Sequence, residues 1–285
     1  SIRRGAPIGG GIAPSTLGGG SDTETRVTTW AMPSVGSQTI EADATLGTSR
    51  MESDHLGMVG GFELTTEGER RIGFGLGYDE LDADATGFGA DANSMLLGAY
   101  LAQRLGSVIA SAQIAYAWTD WDVVRGSSRA SFSSSELRVN GELAYDLVRG
   151  RAAVSPFAAF HWRMTDVDGF TETGEAMPLS VAARGDSVFS PEVGLRVTYW
   201  GSAIRPFASA SYVFQGDLDT RTQANFVALP GSTFTLQGTQ PEDYVRLEGG
   251  IAFELGFGEM VLSGDALLGD NREAFEFAGA VRIPF

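Results

Sequence analysis

The chain has 285 residues, 43% of them hydrophobic, with a mean hydropathy of -0.02 and a net charge of -16 from 36 acidic and 20 basic side chains. Such acidity excludes a basic face that neutralises phosphates, and with it a nucleic-acid partner. No apolar run approaches the ~18 residues that a membrane-spanning helix needs, so any crossing of a bilayer falls to strands.

Residues 1–25 come first. Gly5, Pro7, Gly9, Gly10, Gly11, Pro14, Gly18, Gly19 and Gly20 break helices, so this segment is expected to be an extended or looped linker. Extended chain covers ~3.3 Å per residue, and part of the segment is enough to thread a ~30 Å hydrocarbon layer. Two placements stay open. The linker either lies in the lumen of a barrel, where Arg3 and Arg4 would pair with inward carboxylates such as Glu142 or Glu248, or it is a flexible tether outside. Ser1 opens the chain with no apolar leader, which is expected of a processed export signal or of a piece of a longer exported protein.

Residues 26–285 repeat one pattern, about ten residues of alternating polarity and then a turn. Leu137, Val139, Leu143, Tyr145 and Leu147 share one face, while Glu136, Arg138, Asn140, Glu142 and Asp146 share the other. Val193, Leu195, Val197 and Tyr199 oppose Glu192 and Arg196, and Val245, Leu247, Ile251, Phe253 and Leu255 oppose Arg246, Glu248 and Glu254. A soluble sandwich would alternate as well, so the connections decide. Tight links are expected near 65–70, 104–107, 148–151, 200–205 and 256–259. Long polar links are expected near 35–54, 79–93, 120–135, 166–190 and 216–243, with a shorter one near 269–272. The implied fold is all-β, an antiparallel up-and-down transmembrane β-barrel of about twelve strands with short periplasmic turns and long extracellular loops.

Within it, Trp30, Trp118, Trp121, Trp162, Trp200, Tyr78, Tyr116, Tyr145, Tyr199 and Tyr212 are expected near strand ends as interfacial girdles. Gly73, Gly75 and Gly77 alternate with outward apolar residues inside one strand. They are expected to make room for large luminal side chains rather than to cradle a phosphate. His161 shares its parity with Arg163 and belongs to a luminal hydrogen-bond network, whereas His55 falls near an external strand end. Neither belongs to a spaced metal motif. Asp79, Asp82, Asp84 and Asp91 read as solvated loop acidity. The lumen-lining set is Arg138, Glu142, His161, Arg163, Glu192, Arg196, Arg246, Glu248, Glu276 and Arg282. No catalytic residue, metal or cofactor is expected.

The last segment turns Phe275, Phe277, Val281, Ile283 and Phe285 outward and closes on an aromatic residue. It resembles the final strand of bacterial outer-membrane proteins, which the barrel-assembly machinery binds by strand pairing. Val154, Ser155, Pro156, Phe157, Ala158 and Ala159, followed by Phe170, Glu172 and Gly174, resemble the Pro-aromatic-Ala strand and Phe-x-Glu-x-Gly element of autotransporter translocator domains. A second Pro-aromatic-Ala strand spans 205–214. The resemblance covers about 26–285. It implies an outer-membrane barrel of twelve strands whose pore holds a linker to an exported passenger, although that segment is usually helical in the family. It also implies outer-membrane lipid, lipopolysaccharide, the assembly machinery and the chain's own linker or passenger as partners. A small porin-like channel and an outer-membrane protease or lipase remain the alternative readings.

Overall fold

Each stretch of alternating polarity is a strand in the computed structural model, which describes residues 25–43, 48–66, 69–174, 177–200, 203–217, 220–238 and 242–285. In chain order these are β1 (Arg26–Ile40), β2 (Met51–Thr66), β3 (Arg70–Ala85), β4 (Phe88–Leu105), β5 (Val108–Arg125), β6 (Ser128–Tyr145), β7 (Leu147–Arg149), β8 (Ala152–Val167), β9 (Phe170–Thr171), β10 (Leu179–Val181), β11 (Arg184–Tyr199), β12 (Ile204–Val213), β13 (Arg221–Phe226), β14 (Leu229–Gln237), β15 (Tyr244–Leu255), β16 (Gly258–Gly269) and β17 (Arg272–Pro284). Twelve of them pair antiparallel with their neighbours. β17 returns to β1, with Ser34 opposite Ala278 and Thr28 opposite Pro284, and the sheet closes into a barrel. Closure leaves no free edge in the wall. The short β7 continues β6 past Asp146 along the edge of β8.

One face of nearly every wall strand is apolar and turned out. Phe62 and Phe277 are each 64% exposed, while the neighbouring Glu63 is 2% exposed and Arg196 8%. Polarity is therefore inverted relative to a soluble sheet, as an apolar surround and a wet interior require. Both ends of the barrel chain lie on the side of the tight links, because β1 starts there and β17 finishes there.

Two of the expected long links are not loops. β3 runs to Ala85 and β4 starts at Phe88; β5 runs to Arg125 and β6 starts at Ser128. Each pair is joined by a two-residue turn in which Gly87 or Gly126 takes positive φ. The acidic run was read as loop because charge was taken to mark the end of a strand, whereas it marks only the end of the apolar belt. Eighteen residues of β4 or β5 extend ~60 Å, about twice the hydrocarbon thickness. Beyond the belt the polarity flips. Leu81, Ala83, Ala90, Ala92, Val123 and Ala130 are buried inside, and Asp82, Asp84, Asp91 and Asp122 are exposed outside. Asp79 keeps inward parity and lines the lumen.

Long links do occur at 41–50, 168–183 and 214–243. From the latter two, β14, β13, β10 and β9 form a separate four-stranded sheet at the loop end. The aromatic girdle is partly as expected. Tyr78, Trp118, Trp162 and Tyr212 face out toward the loop end, and Tyr145 and Tyr199 face out at the turn end. Trp30 and Trp121 do not belong to it. Their parity turns them inward, Trp30 against Tyr100 and Trp121 onto Phe132, with the Trp121 indole donating to Ser134 Oγ at 2.8 Å.

Candidate pore lining

The period-two alternation places every second residue of twelve strands in one enclosed space. Asn140, Glu142, His161, Glu192, Arg196, Arg246 and Glu248 line an open chamber of about 1020 Å³, counting the open solvent at its mouth. Arg196 donates through both terminal nitrogens to the two oxygens of Glu142 at 2.9 Å each, across the β6 and β11 walls, and its guanidinium lies 4.9 Å from the Phe157 ring centre. Both nitrogens of His161 are engaged. Nδ1 is 3.0 Å from Asn140 Oδ1 and Nε2 is 2.6 Å from Glu192 Oε2, while Ser211 donates to the other Glu192 oxygen at 2.5 Å. Arg246 donates to Asp265 at 2.7 Å and Ser209 to Glu248 at 3.2 Å.

Other members of the expected set form separate groups. Arg138 pairs with Glu136, Arg163 lies 3.7 Å from the same carboxylate, and Thr165 donates to it at 3.2 Å. Glu276 lines a second recess with His55, Asp79 and Asp265. His55 thus faces the interior, over Gly36. Arg282 meets Glu63 at 2.5 Å near the turn end, where Tyr100 donates to the other Glu63 oxygen at 2.8 Å.

Glycines 73 and 75 form the floor for bulky luminal groups. A Cβ on Gly73 would fall on the Tyr100 ring, and one on Gly75 would come 3.0 Å from the Trp30 ring. Tyr100 and Trp30 were absent from the lumen-lining set, yet parity alone carried the signal. Trp30 is in phase with the buried Thr28 and Ser34, and weighting its ring above its phase misplaced it.

At the loop end, Phe170, Glu172 and Gly174 have separate roles. Phe170 stacks on Phe132 with ring centres 4.5 Å apart. Glu172 accepts from Arg125 Nε at 2.9 Å, from Arg125 Nη2 at 2.5 Å and from the Leu179 amide at 2.9 Å. Burial opposes ionisation of Glu172, but the bonds from Arg125 and Leu179 outweigh it and hold the carboxyl below its ordinary value. Gly174 has φ +149, and a Cβ there would sit 2.6 Å from the Ser127 carbonyl oxygen, so the link 168–183 lies hard against the β5–β6 turn.

On the last strand Phe275, Phe277, Ile283 and Phe285 point out, Val281 is half-buried on the same parity, and the Phe285 amide donates to the Val27 carbonyl at 2.8 Å. The linker 1–25 lies outside the described residues apart from Thr25.

A family model described as the autotransporter beta-domain matches residues 29–266. No curated protein sequence matches the chain. Among solved structures, the chain is similar to the translocator domain of the autotransporter NalP from Neisseria meningitidis, at 15% identity and a TM-score of 0.74 over 91% of this chain and 88% of that one. It is also similar to the transport unit of the autotransporter AIDA-I from Escherichia coli, at 12% and 0.66 over 90% of each chain. The beta domain of the Bordetella autotransporter BrkA aligns at 17% and 0.64, over 91% of this chain and 100% of that one. At these identities the structural likeness is one of fold.

Proposed function

Because the chain belongs to the autotransporter beta-domain family and is an outer-membrane translocator barrel of type V secretion, we propose that residues 1–25 are the linker that returns through the lumen to a passenger at the cell surface. One observation carries this reading. β1 begins at the turn end, which is the periplasmic end in such barrels, so whatever precedes Arg26 enters at the periplasmic mouth. To reach the surface it has to pass through the enclosed space, because the wall has no gap.

The charged groups named above then serve as pore lining. Arg138, Glu142, His161, Arg163, Glu192, Arg196, Arg246, Glu248, Glu276 and Arg282 keep the interior wet, and several of them pair across strands, as Arg196 does with Glu142 and Arg282 with Glu63, which suits a conduit whose wall has to stay open and stiff. We assign the chain no reaction. His161, the obvious candidate base, has both ring nitrogens committed to Asn140 and Glu192. Phe275, Phe277, Val281, Ile283 and Phe285 are the recognition face for the barrel-assembly machinery, and the outward apolar belt contacts lipid and lipopolysaccharide.

A solute channel is the second reading, favoured by the polar lining of the open chamber, with Glu142, Glu192, Arg196, Arg246 and Glu248 on its wall. Single-channel recording separates the two. The full chain is expected to pass little current and the chain lacking 1–25 to pass a large, steady one; equal currents from both would overturn the linker assignment.

A further inference from the structure

Pro33, Pro156, Pro191 and Pro206 lie within wall strands, and each withholds one donor from a ladder. Their surroundings decide what that does. Pro33 interrupts the β1–β17 ladder, which stops at Ala31–Val281 and resumes at Ser34–Ala278. Arg282 to Glu63 and Arg272 to Gln38 brace that seam on either side of the gap. Pro156 falls opposite the break between β6 and β7. The ladder picks up beyond it at Leu147–Val154, and Ser155 donates to Asp146 at 2.6 Å across the gap.

Pro191 and Pro206 differ because both act on one ladder. The Phe214 amide donates to the Pro191 carbonyl at 2.9 Å, so Pro191 points at β12, but it has no N–H to return. At the other end the ladder from β12 to β15 runs on through Pro206–Ile251, whereas the ladder to β11 stops at Thr198–Phe207. Seven pairs remain, from Glu192–Val213 to Thr198–Phe207, and this is the shortest ladder in the wall. By contrast β8–β11 has sixteen pairs and β12–β15 ten. Beyond the last pair the two sides hold to different neighbours. The Trp200 amide donates to the Arg151 carbonyl at 2.9 Å, which keeps β11 with β8, and the Glu254 amide donates to the Ala203 carbonyl at 3.3 Å, which keeps β12 with β15. Inside the lumen, Ser211 bonds across the ladder to Glu192, but the forked pair of Arg196 reaches back to Glu142 on β6, away from β12.

We propose that β11–β12 is the yielding joint of the wall. It parts from the turn end, while the Phe214 amide and Gln215 Nε2, the latter 3.0 Å from Ser190 Oγ, hold the loop end. With the fewest ladder bonds to break, it opens before any other pair of wall strands. Glu192, Arg196 and Ser209 line the chamber along this ladder, so the parting widens the chamber, and the wet interior supplies water to the freed amides. The joint belongs to the wall itself and stands whether or not residues 1–25 enter the lumen.

Hydrogen–deuterium exchange with mass spectrometry on the full chain, folded in lipid nanodiscs, tests it. Alternation from the Phe214–Pro191 bond assigns the crossing amides to Val193, Leu195, Val197, Ala208, Ala210 and Tyr212. These are expected to exchange about tenfold faster than the amides of the β15–β16 and β1–β17 ladders. Fastest exchange at β1–β17, or no difference among the ladders, overturns the proposal. Pro191→Val with Pro206→Val restores both donors and is expected to slow the crossing amides to the rate of β15–β16; an unchanged rate overturns it as well. Val197→Cys with Ala208→Cys is an independent check, because the two positions are directly opposed at the ~5.5 Å Cα spacing that a disulfide spans, and the chain has no other cysteine. Oxidation is expected to abolish the rapid exchange. Rapid exchange that survives the staple comes from fraying within single strands and sinks the joint. Heat-resistant gel mobility confirms that each variant is folded, and the exchange map of the unaltered chain decides alone where one is not.

Discussion

Glu63 offers the sharpest test of how the barrel is held shut. Its carboxylate is 2% exposed and accepts from Arg282 at 2.5 Å and from Tyr100 at 2.8 Å, with Arg71 Nε at 4.0 Å. Glu63 sits on β2 and Arg282 on β17, so the pair spans β1, the strand between them, passing over Thr28, which faces both Glu63 and Pro284 in register. It therefore clamps the seam where first and last strands meet. Glu63→Ala leaves two guanidiniums close together in an enclosed space with their anion gone. Breaking a buried pair this way costs about 3–5 kcal/mol, or roughly two to four powers of ten in the folding equilibrium. Urea titration of the detergent-embedded barrel, followed by tryptophan fluorescence and by heat-resistant gel mobility, measures it. Adding Arg282→Ala should recover part of the loss, since the stranded cation goes too. A loss below about 1 kcal/mol, the worth of an exposed ion pair, would refute the clamp.

Other substitutions test other parts. Phe277→Arg puts a cation in the apolar belt and should destabilise by about 2–4 kcal/mol, whereas Asp122→Arg, beyond the belt, should shift the urea midpoint hardly at all; equal costs would mean the belt is misplaced. Gly61→Ala drives a Cβ onto the Phe74 carbonyl oxygen and to 2.9 Å from Gly75 Cα, so a loss of about 1–3 kcal/mol is expected, and a neutral result in the same titration would show that the β2–β3 approach is looser than described. The Arg125–Glu172 clasp should be sensitive to acid. Glu172 is held below its ordinary value of 4.5, so its contribution is complete above that value and is lost as pH falls through the lower folded-state value. Protease cutting in 168–183 should stay constant from neutral pH down to that range and rise below it, and Glu172→Gln should be cut readily at every pH. With the linker deleted, the open pore should prefer cations, and Glu248→Gln with Glu276→Gln should weaken that preference in reversal-potential measurements; anion preference in the deleted chain would contradict the charge reading.

The barrel was legible because alternation states which face each residue takes, and twelve repeats of a weak signal agree. Where that rule was followed strictly it placed Arg196, Glu192, Leu247 and Phe277 on the faces they occupy. It failed where composition was allowed to override phase. The acidic residues between Asp79 and Asn93 were read as loop although Leu81, Ala83, Ala90 and Ala92 keep alternating through them, and the hydrogen-bonded ladder extends unbroken to the Ala85–Phe88 pair. Trp30 and Trp121 were sent to the interface for being tryptophan. Pairing partners were beyond reach for a different reason. Glu142 and Arg196 are 54 positions apart, and only the closed sheet, with its register and circumference, determines which inward side chains face each other.

All 20 basic residues of the chain are arginine and none is lysine, and the lumen gives this a physical account. A luminal cation here is asked to hold two oxygens at once, as Arg196 holds Glu142, or to join separate carboxylates, as Arg104 joins Glu69 at 2.9 Å and Asp146 at 2.8 Å and Arg205 joins Glu259 at 3.0 Å and Glu254 at 3.5 Å. A planar fork does that with fixed geometry, and a lysine ammonium on a flexible stem does not. In a wide water-filled lumen flexible charges would collapse onto nearby carboxylates in many arrangements, whereas forked pairs define one. The same rigidity that stiffens the wall keeps charge on the wall and leaves the middle of the lumen clear of it.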